Sequence, residues 1–386
     1  MSRPTPSPET GTPSAAAGDL VDDLVQIRET VPRPVATPHG RGAVGNPHNR
    51  FERLEVEVDD DVAPEDGAAP DRVATEVLRD TSRSIIATND SPDIPFDASI
   101  NPYRGCEHGC SYCYARPTHE YLGFSAGLDF ESRILVKENA AGLLRRELTS
   151  PRWEPKTLAL SGVTDPYQPV ERKLGVTRAC LEVLAEMRNP VAVITKSRLV
   201  TRDMDLLAEL AAHGAVRVAL SVTSLDVELA RKLEPRAAAP EARLRAIREL
   251  AEAGIPVSVM VAPVIPGLTD HEIPQILQAA ADAGADSAGY VPLRLPGAVA
   301  PLFSGWLEAH FPERREKVLN RVRGMRGGRL NDPRFGNRMR GEGVFADQIR
   351  TLFTAARKRA GLERRGAPLS TAAFQRKGVD QMDLFS

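Results

Sequence analysis

Only four of the 386 residues are cysteine, two are tryptophan, and aromatic residues make up 5% of the chain. Four cysteines with three close together make a poor disulfide framework, and they suit a reducing compartment. No apolar run approaches the roughly 20 residues that span a bilayer, and the opening MSRPTPSPET lacks the apolar stretch of a secretory leader. A cytoplasmic protein is therefore expected. A strong net charge is also missing, at −2, but the charge is unevenly spread. Residues 1–90 hold 9 Lys and Arg against 17 Asp and Glu, whereas residues 314–377 hold 18 against 5. A chain of this length is expected to form one core of about 200 to 250 residues with extensions at both ends.

Three of the four cysteines, Cys106, Cys110 and Cys113, lie in the stretch NPYRGCEHGCSYCYAR, residues 101–116. Thiolates are soft ligands, and three on a glycine-containing loop can converge on one soft metal centre. Three and then two residues separate them, unlike the paired CxxC motifs that close a structural zinc tetrahedron. Such a set leaves one iron of a 4Fe-4S cluster open to another ligand. The competing reading is a Cys3His zinc site completed by His108.

Around this loop, apolar strands alternate with amphipathic helices. The pattern predicts strands at Ala98–Asn101, Thr157–Ser161, Val191–Lys196, Arg217–Thr223, Val257–Ala262 and Ser287–Leu293. Helices are expected over Val136–Ser150, Leu174–Met187, Met204–Ala212, Pro240–Ala253 and Ile273–Ala283. Strands this apolar imply a parallel α/β sheet with helices on its outer face. About six units fall short of a closed eight-stranded barrel, so a partial (β/α)6 TIM-like barrel over residues 81–300 follows, with its chemistry at the C-terminal ends of the strands. Residues 1–80 are poor in apolar side chains and are expected to be mostly disordered and acidic. Within them His39–Glu52 (HGRGAVGNPHNRFE) reads either as an ordered arm near the active site or as a linker.

The CxxxCxxC spacing with Tyr112 before the last cysteine resembles the signature of the radical S-adenosylmethionine (radical SAM) superfamily. The resemblance implies that Cys106, Cys110 and Cys113 hold a 4Fe-4S cluster. It further implies that S-adenosylmethionine is reductively cleaved to a 5′-deoxyadenosyl radical that abstracts a substrate hydrogen, with electrons from a donor such as a flavodoxin or ferredoxin. Short strand-end motifs, ITK at 194–196 and SVT at 221–223, resemble the spore photoproduct lyase-like, DNA repair photolyase-like branch. By that likeness Gly162, Thr164 and Asp165 lie at the cofactor's amino group, Lys196 at its carboxylate, Ser221 at its ribose, and Tyr112 beside the cluster. Pro263 and Gly267 would bend the backbone near the adenine, and Glu234 and Arg236 are either site residues or a surface ion pair. His271 and Glu272 read as helix-capping residues, and Cys180 as a core residue. One departure is plain: the lyases' hydrogen-donating cysteine has no counterpart between Cys113 and Cys180, which leaves Tyr103, Tyr112, Tyr114 and Tyr167 as alternative donors.

Residues 301–377 form a basic extension with a predicted amphipathic helix over 347–362 that ends in Arg357, Lys358 and Arg359. Lys and Arg so placed can neutralise phosphates, so nucleic acid is the expected partner. In the final segment 378–386, Gln381, Met382, Leu384 and Phe385 resemble the peptide by which bacterial DNA-metabolising proteins dock on the sliding clamp. The two other readings are radical modification of RNA or peptide, and a non-catalytic zinc-containing DNA-binding adaptor.

Overall fold

Six short apolar segments pair side by side in parallel because each is followed by a helix that returns the chain to the same end of the sheet. The structure, a computed structural model, describes residues 38–52, 73–364 and 368–376. Its strands are β1 Glu76–Arg79, β2 Ile86–Thr88, β3 Ala98–Ile100, β4 Tyr103–Arg104, β5 Arg133–Val136, β6 Leu158–Leu160, β7 Val191–Thr195, β8 Val216–Ser221, β9 Val257–Val264 and β10 Ser287–Pro292. The large sheet has the order β10-β9-β8-β7-β6-β3-β2. All neighbours in it are parallel except β2, which pairs antiparallel with β3 at one edge. The α/β partial barrel with six parallel strands is thus present.

The helices are α1 Leu128–Ser132, α2 Ala140–Thr149, α3 Glu171–Leu174, α4 Val176–Met187, α5 Met204–Ala212, α6 Val227–Leu233, α7 Pro240–Glu252, α8 Ile273–Asp282, α9 Val299–His310, α10 Pro312–Met325 and α11 Val344–Arg359. Side chains of β7 and β8 alternate: Val191, Val193, Val216, Val218 and Leu220 are fully buried, while Ala192, Ile194, Arg217 and Ala219 are partly open. The second set shares its face with Lys196, Ser221 and Thr223, because strand side chains alternate with period two. That face lines the barrel interior, and the three residues at its upper end reach the site.

A small second sheet, β1-β5-β4, differs from expectation. Residues 133–136 are a strand, so the helix expected from Val136 begins only at Ala140. β1 lies in the stretch expected to be disordered; it is ordered by parallel pairing with β5. The expected helix Leu174–Met187 is broken by Gly175, whose φ of 64° divides α3 from α4. No helix among the described residues is long and apolar enough to cross a membrane.

Candidate cluster and cofactor site

The cysteine loop leaves β3 at the C-terminal end of the large sheet and is folded by its own backbone. Cys113 N donates to Cys110 O at 3.2 Å, Gly109 N to Cys106 O at 3.4 Å, and Cys106 N to Phe130 O at 2.8 Å. Gly105 and Gly109 take φ of 80° and 66°, where a side chain would be strained, and an added Cβ at Gly109 would lie 2.8 Å from Glu131 Oε2. Cys106 and Cys110 are buried and Cys113 nearly so. Burial first, then Asp165 and the other two cysteines, pushes the Cys106 thiol well up; burial and Glu234 do the same at Cys110. Three desolvated soft donors of this kind favour a cationic partner that compensates the charge of their thiolates.

The loop's three soft donors suit a soft metal centre, and the zinc reading needs His108 as its fourth ligand. Two of its buried polar atoms, Glu107 Oε2 and Ser111 Oγ, have no hydrogen-bond partner among the described residues. His108, the fourth ligand of the zinc reading, instead places Nδ1 3.3 Å from Asp165 Oδ2.

At the strand ends, most of the expected cofactor residues come together, though several hydroxyl and carboxylate groups already have protein partners. Asp165 Oδ1 accepts from Tyr167 N at 2.9 Å and Thr195 Oγ1 at 2.7 Å, and its Oδ2 accepts from Lys196 N at 2.8 Å. Burial opposes its ionisation, but His108 and these donors win and hold the carboxyl below its usual range. Asp165 therefore pins the cysteine loop to the end of β7. Thr164 Oγ1 donates to Tyr103 O at 2.7 Å, which closes the same corner. Gly162 has no room for a side chain, since a Cβ would lie 2.6 Å from Ser99 Oγ. Its neighbour Ser161 has φ of 98°, a conformation that costs a non-glycine residue about 1–3 kcal/mol and is concentrated at functional sites.

Lys196 Nζ lies 3.2 Å from Glu234 Oε1 and donates to Ala262 O at 3.0 Å and Thr223 Oγ1 at 3.3 Å. Glu234 is no surface ion pair: its side chain is fully buried, and it also binds Arg243, Tyr112 and Thr223. Burial disfavours its charge, but Arg243 and Lys196 outweigh that penalty and keep it ionised far below the usual range. Tyr112 is buried under the Lys196 ammonium, 5.7 Å from its ring centroid. Ser221 is buried at the end of β8, its carbonyl accepting from Arg243 Nη1 at 2.9 Å. Arg236 pairs with Glu107 of the cysteine loop at 2.9 Å. Arg243, Glu131 and Arg116 were not legible as site residues, although Arg116 closes the cysteine stretch, because a charged side chain carries no mark of burial in the sequence.

Three of the four candidate tyrosines are enclosed. Tyr103 binds Glu171, Tyr167 binds Asp203 at 3.1 Å, and Tyr112 binds Glu234. Tyr114 is different: it is half exposed, its hydroxyl lies 3.3 Å from Gly162 O, and the Arg294 guanidinium covers its ring at 4.6 Å. Cys180 is fully buried in the core, its thiol pushed up to about 12 chiefly by burial. Glu272 does not cap its helix; it accepts from Ser224 Oγ at 2.7 Å and Leu225 N at 2.6 Å and so fastens the turn after β8.

Residues 100–280 match the model of the Radical SAM superfamily. An uncharacterised protein of Mycobacterium tuberculosis (strain ATCC 25618 / H37Rv) is 42% identical over 222 residues, 57% of this chain and 65% of that one, so the chain spans just under two thirds of this relative's length. A radical SAM Nalpha-GlyT isomerase of Pseudomonas phage M6 is 28% identical over 172 residues, 44% of this chain and 34% of that one. Spore photoproduct lyase complexed with dinucleoside spore photoproduct shares the fold, with a TM-score of 0.50 at 17% identity over 74% of this chain and 78% of that one. With its three-cysteine loop at the strand ends of a partial barrel, the segment 100–280 of this chain is a radical SAM domain, and the cofactors of that superfamily are a 4Fe-4S cluster and S-adenosylmethionine.

Proposed function

We propose that this chain is a radical SAM enzyme that acts on nucleic acid. When bound and reduced, the cluster supplies the electron that splits S-adenosylmethionine into methionine and a 5′-deoxyadenosyl radical able to take a substrate hydrogen. Cys106, Cys110 and Cys113 hold the cluster. Lys196, now shared with Glu234, pairs with the cofactor's carboxylate, Ser221 meets its ribose, and the Gly162 backbone its amino group. Asp165 and Thr164 keep these groups in register with the loop, and Tyr112, next to Cys113 in the chain, is bonded to Glu234. The reductant is a flavodoxin- or ferredoxin-type electron carrier.

The observation that carries the nucleic-acid reading is Arg294. It sits just past the end of β10, partly buried and stacked on Tyr114, and among the described residues it has no hydrogen-bond or ion-pair acceptor. Burial lowers its pKa, so its cation is poorly solvated and favours an incoming anion. Arg326 and Arg338 of the basic extension lie near it, but both are engaged: Arg326 with the carbonyls of Pro292 and Leu293, Arg338 with Asp93. Arg294 therefore takes a substrate phosphate at the mouth, and Tyr114 is the candidate to return hydrogen to the product radical.

The test is anaerobic reconstitution followed by assay of 5′-deoxyadenosine with reductant and S-adenosylmethionine. The parent is expected to hold about four irons per chain. Cys110→Ala loses the iron and the cleavage. Arg294→Ala keeps uncoupled cleavage but weakens binding of a single-stranded DNA oligonucleotide about tenfold or more, as loss of a charge-assisted hydrogen bond does. Stoichiometric zinc without cleavage refutes the enzyme reading; equal DNA binding by parent and Arg294→Ala, with a folded RNA or a peptide turned over instead, refutes the substrate class. Docking on a sliding clamp through Gln381, Met382, Leu384 and Phe385, which lie outside the described residues, remains a separate proposal.

A further inference from the structure

The cysteine loop is not closed by the barrel alone. Residues 38–52 form no helix or strand, yet Arg41, Gly42 and Ala43 are buried against the back of the loop, where their hydrogen bonds converge on one residue, Glu131. Gly42 N and Ala43 N donate to Glu131 Oε2 and Oε1 at 3.0 and 2.8 Å, and Arg41 Nη1 donates to Glu131 O at 2.6 Å. On its other side Glu131 binds Arg116, both side chains being fully buried. The same Arg116 guanidinium donates from Nε and Nη2 to Cys110 O at 3.1 and 2.8 Å. An unbroken chain of charge-assisted bonds thus runs from the arm through Glu131 and Arg116 to the backbone of a cluster ligand.

Close packing reinforces it. Gly42 lies directly on Gly109 O, and any Cβ there would sit far inside van der Waals contact with that carbonyl and 3.2 Å from Ser111 N. A second link follows the same path: Arg41 reaches Thr75 Oγ1 at 3.2 Å, which donates to Glu107 Oε1 at 2.6 Å, beside Cys106. The arm is fastened further along by Asn46, which exchanges bonds with Asp129, and by Asn49 Nδ2, which donates to Glu120 O at 2.9 Å.

We propose that the arm at 38–52 is a working part of the cluster site: it is the rear wall that fixes the cysteine loop, with Arg41, Gly42, Glu131 and Arg116 as positioning residues for the cluster. Groups that hold a metal's ligands typically change metal affinity by 10–100-fold when removed. A merely decorative segment would not need a glycine in contact with the loop or a buried acid whose carboxylate takes two of the segment's backbone N–H groups.

The proposal rests on the cluster but not on any substrate. In the reconstituted full-length chain, iron release to a ferrous chelator is followed with the electron paramagnetic resonance spectrum of the reduced cluster, with and without S-adenosylmethionine. Gly42→Ala should release iron about 10–100-fold faster and shift or broaden the spectrum. Arg41→Lys, which keeps the charge but not the planar fork, should fold like the parent by thermal melt and show a smaller change in the same direction. Parental release rates and spectra in both variants overturn the proposal, as do a folded Arg41→Lys with parental behaviour and a Gly42→Ala that does not fold. If the parent itself holds no iron, the cluster assignment fails instead.

Discussion

His119 shows how a single buried group ties pH to the stability of the site's surroundings. It is fully buried between Phe124 and Phe130, its Nε2 lies 3.0 Å from Arg133 O, and its ring lies against Gly105 at the start of the cysteine loop. Burial is the main reason its pKa falls to about 4; the nearby Arg116 acts in the same direction, and Asp129 and the Arg133 carbonyl oppose it. Between about 4 and the ordinary value of 6.5, the unfolded chain binds a proton that the folded chain refuses. Stability should therefore be fully present above pH 6.5 and decline as pH falls towards 4, by about 3 kcal/mol at most if 1.36 kcal/mol applies per unit. Urea melts across this range should show the slope, and His119→Phe, which keeps the aromatic packing, should flatten it. An equal slope in the variant would place the dependence elsewhere.

At the scale of elements, the open sheet has two edges, β2 and β10, and the structure joins the chain beyond both. Asp93, in the loop between β2 and β3, accepts from Gly336 N and Arg338 Nε, each at 2.6 Å, and Arg338 also binds Ser91. The segment after α10 that supplies Arg338 is held to the end of β10 by Arg326. One acidic side chain therefore latches the two sides of the partial barrel. Arg338→Ala should make the Arg- and Gly-rich segment 326–343 a faster trypsin site, mapped by mass spectrometry; cleavage at the parental rate would show that the latch does not hold it.

These same elements explain what was readable in the sequence. Strands β6 to β10 and helices α5, α7 and α8 were legible because apolar periodicity and terminal glycines mark them. β1, β4 and β5 were not, since two to four residues carry almost no periodic pattern and owe their order to each other. The cysteines and Lys196 could be found from motif and strand-end position. Glu131, Arg116 and Arg243 could not, because a buried charge looks like a surface charge until its partner is folded against it.

On the scale of the whole molecule, the two ends of the barrel have different business. The basic tip of α11 leads into Glu363, which bridges to Ser287 at the start of β10, whereas Arg294, Arg326 and Arg338 gather at the strand ends. The positive charge read as one extension is thus divided between opposite faces. The described segment 368–376 follows the strand-start face. Ser370 N donates to Gly214 O at 2.9 Å, Gln375 N to Met187 O at 3.0 Å, and Arg376 Nη2 to Trp153 O at 2.5 Å, in the turns that precede β8, β7 and β6. A clamp-docking peptide beyond residue 376 would therefore start from the face opposite the cysteine loop. Deleting residues 381–386 should abolish co-migration with a bacterial sliding clamp in gel filtration while leaving iron content and 5′-deoxyadenosine formation unchanged. Retained clamp affinity would remove the peptide from the argument. Loss of cleavage together with clamp binding would mean that the deleted residues serve the site itself.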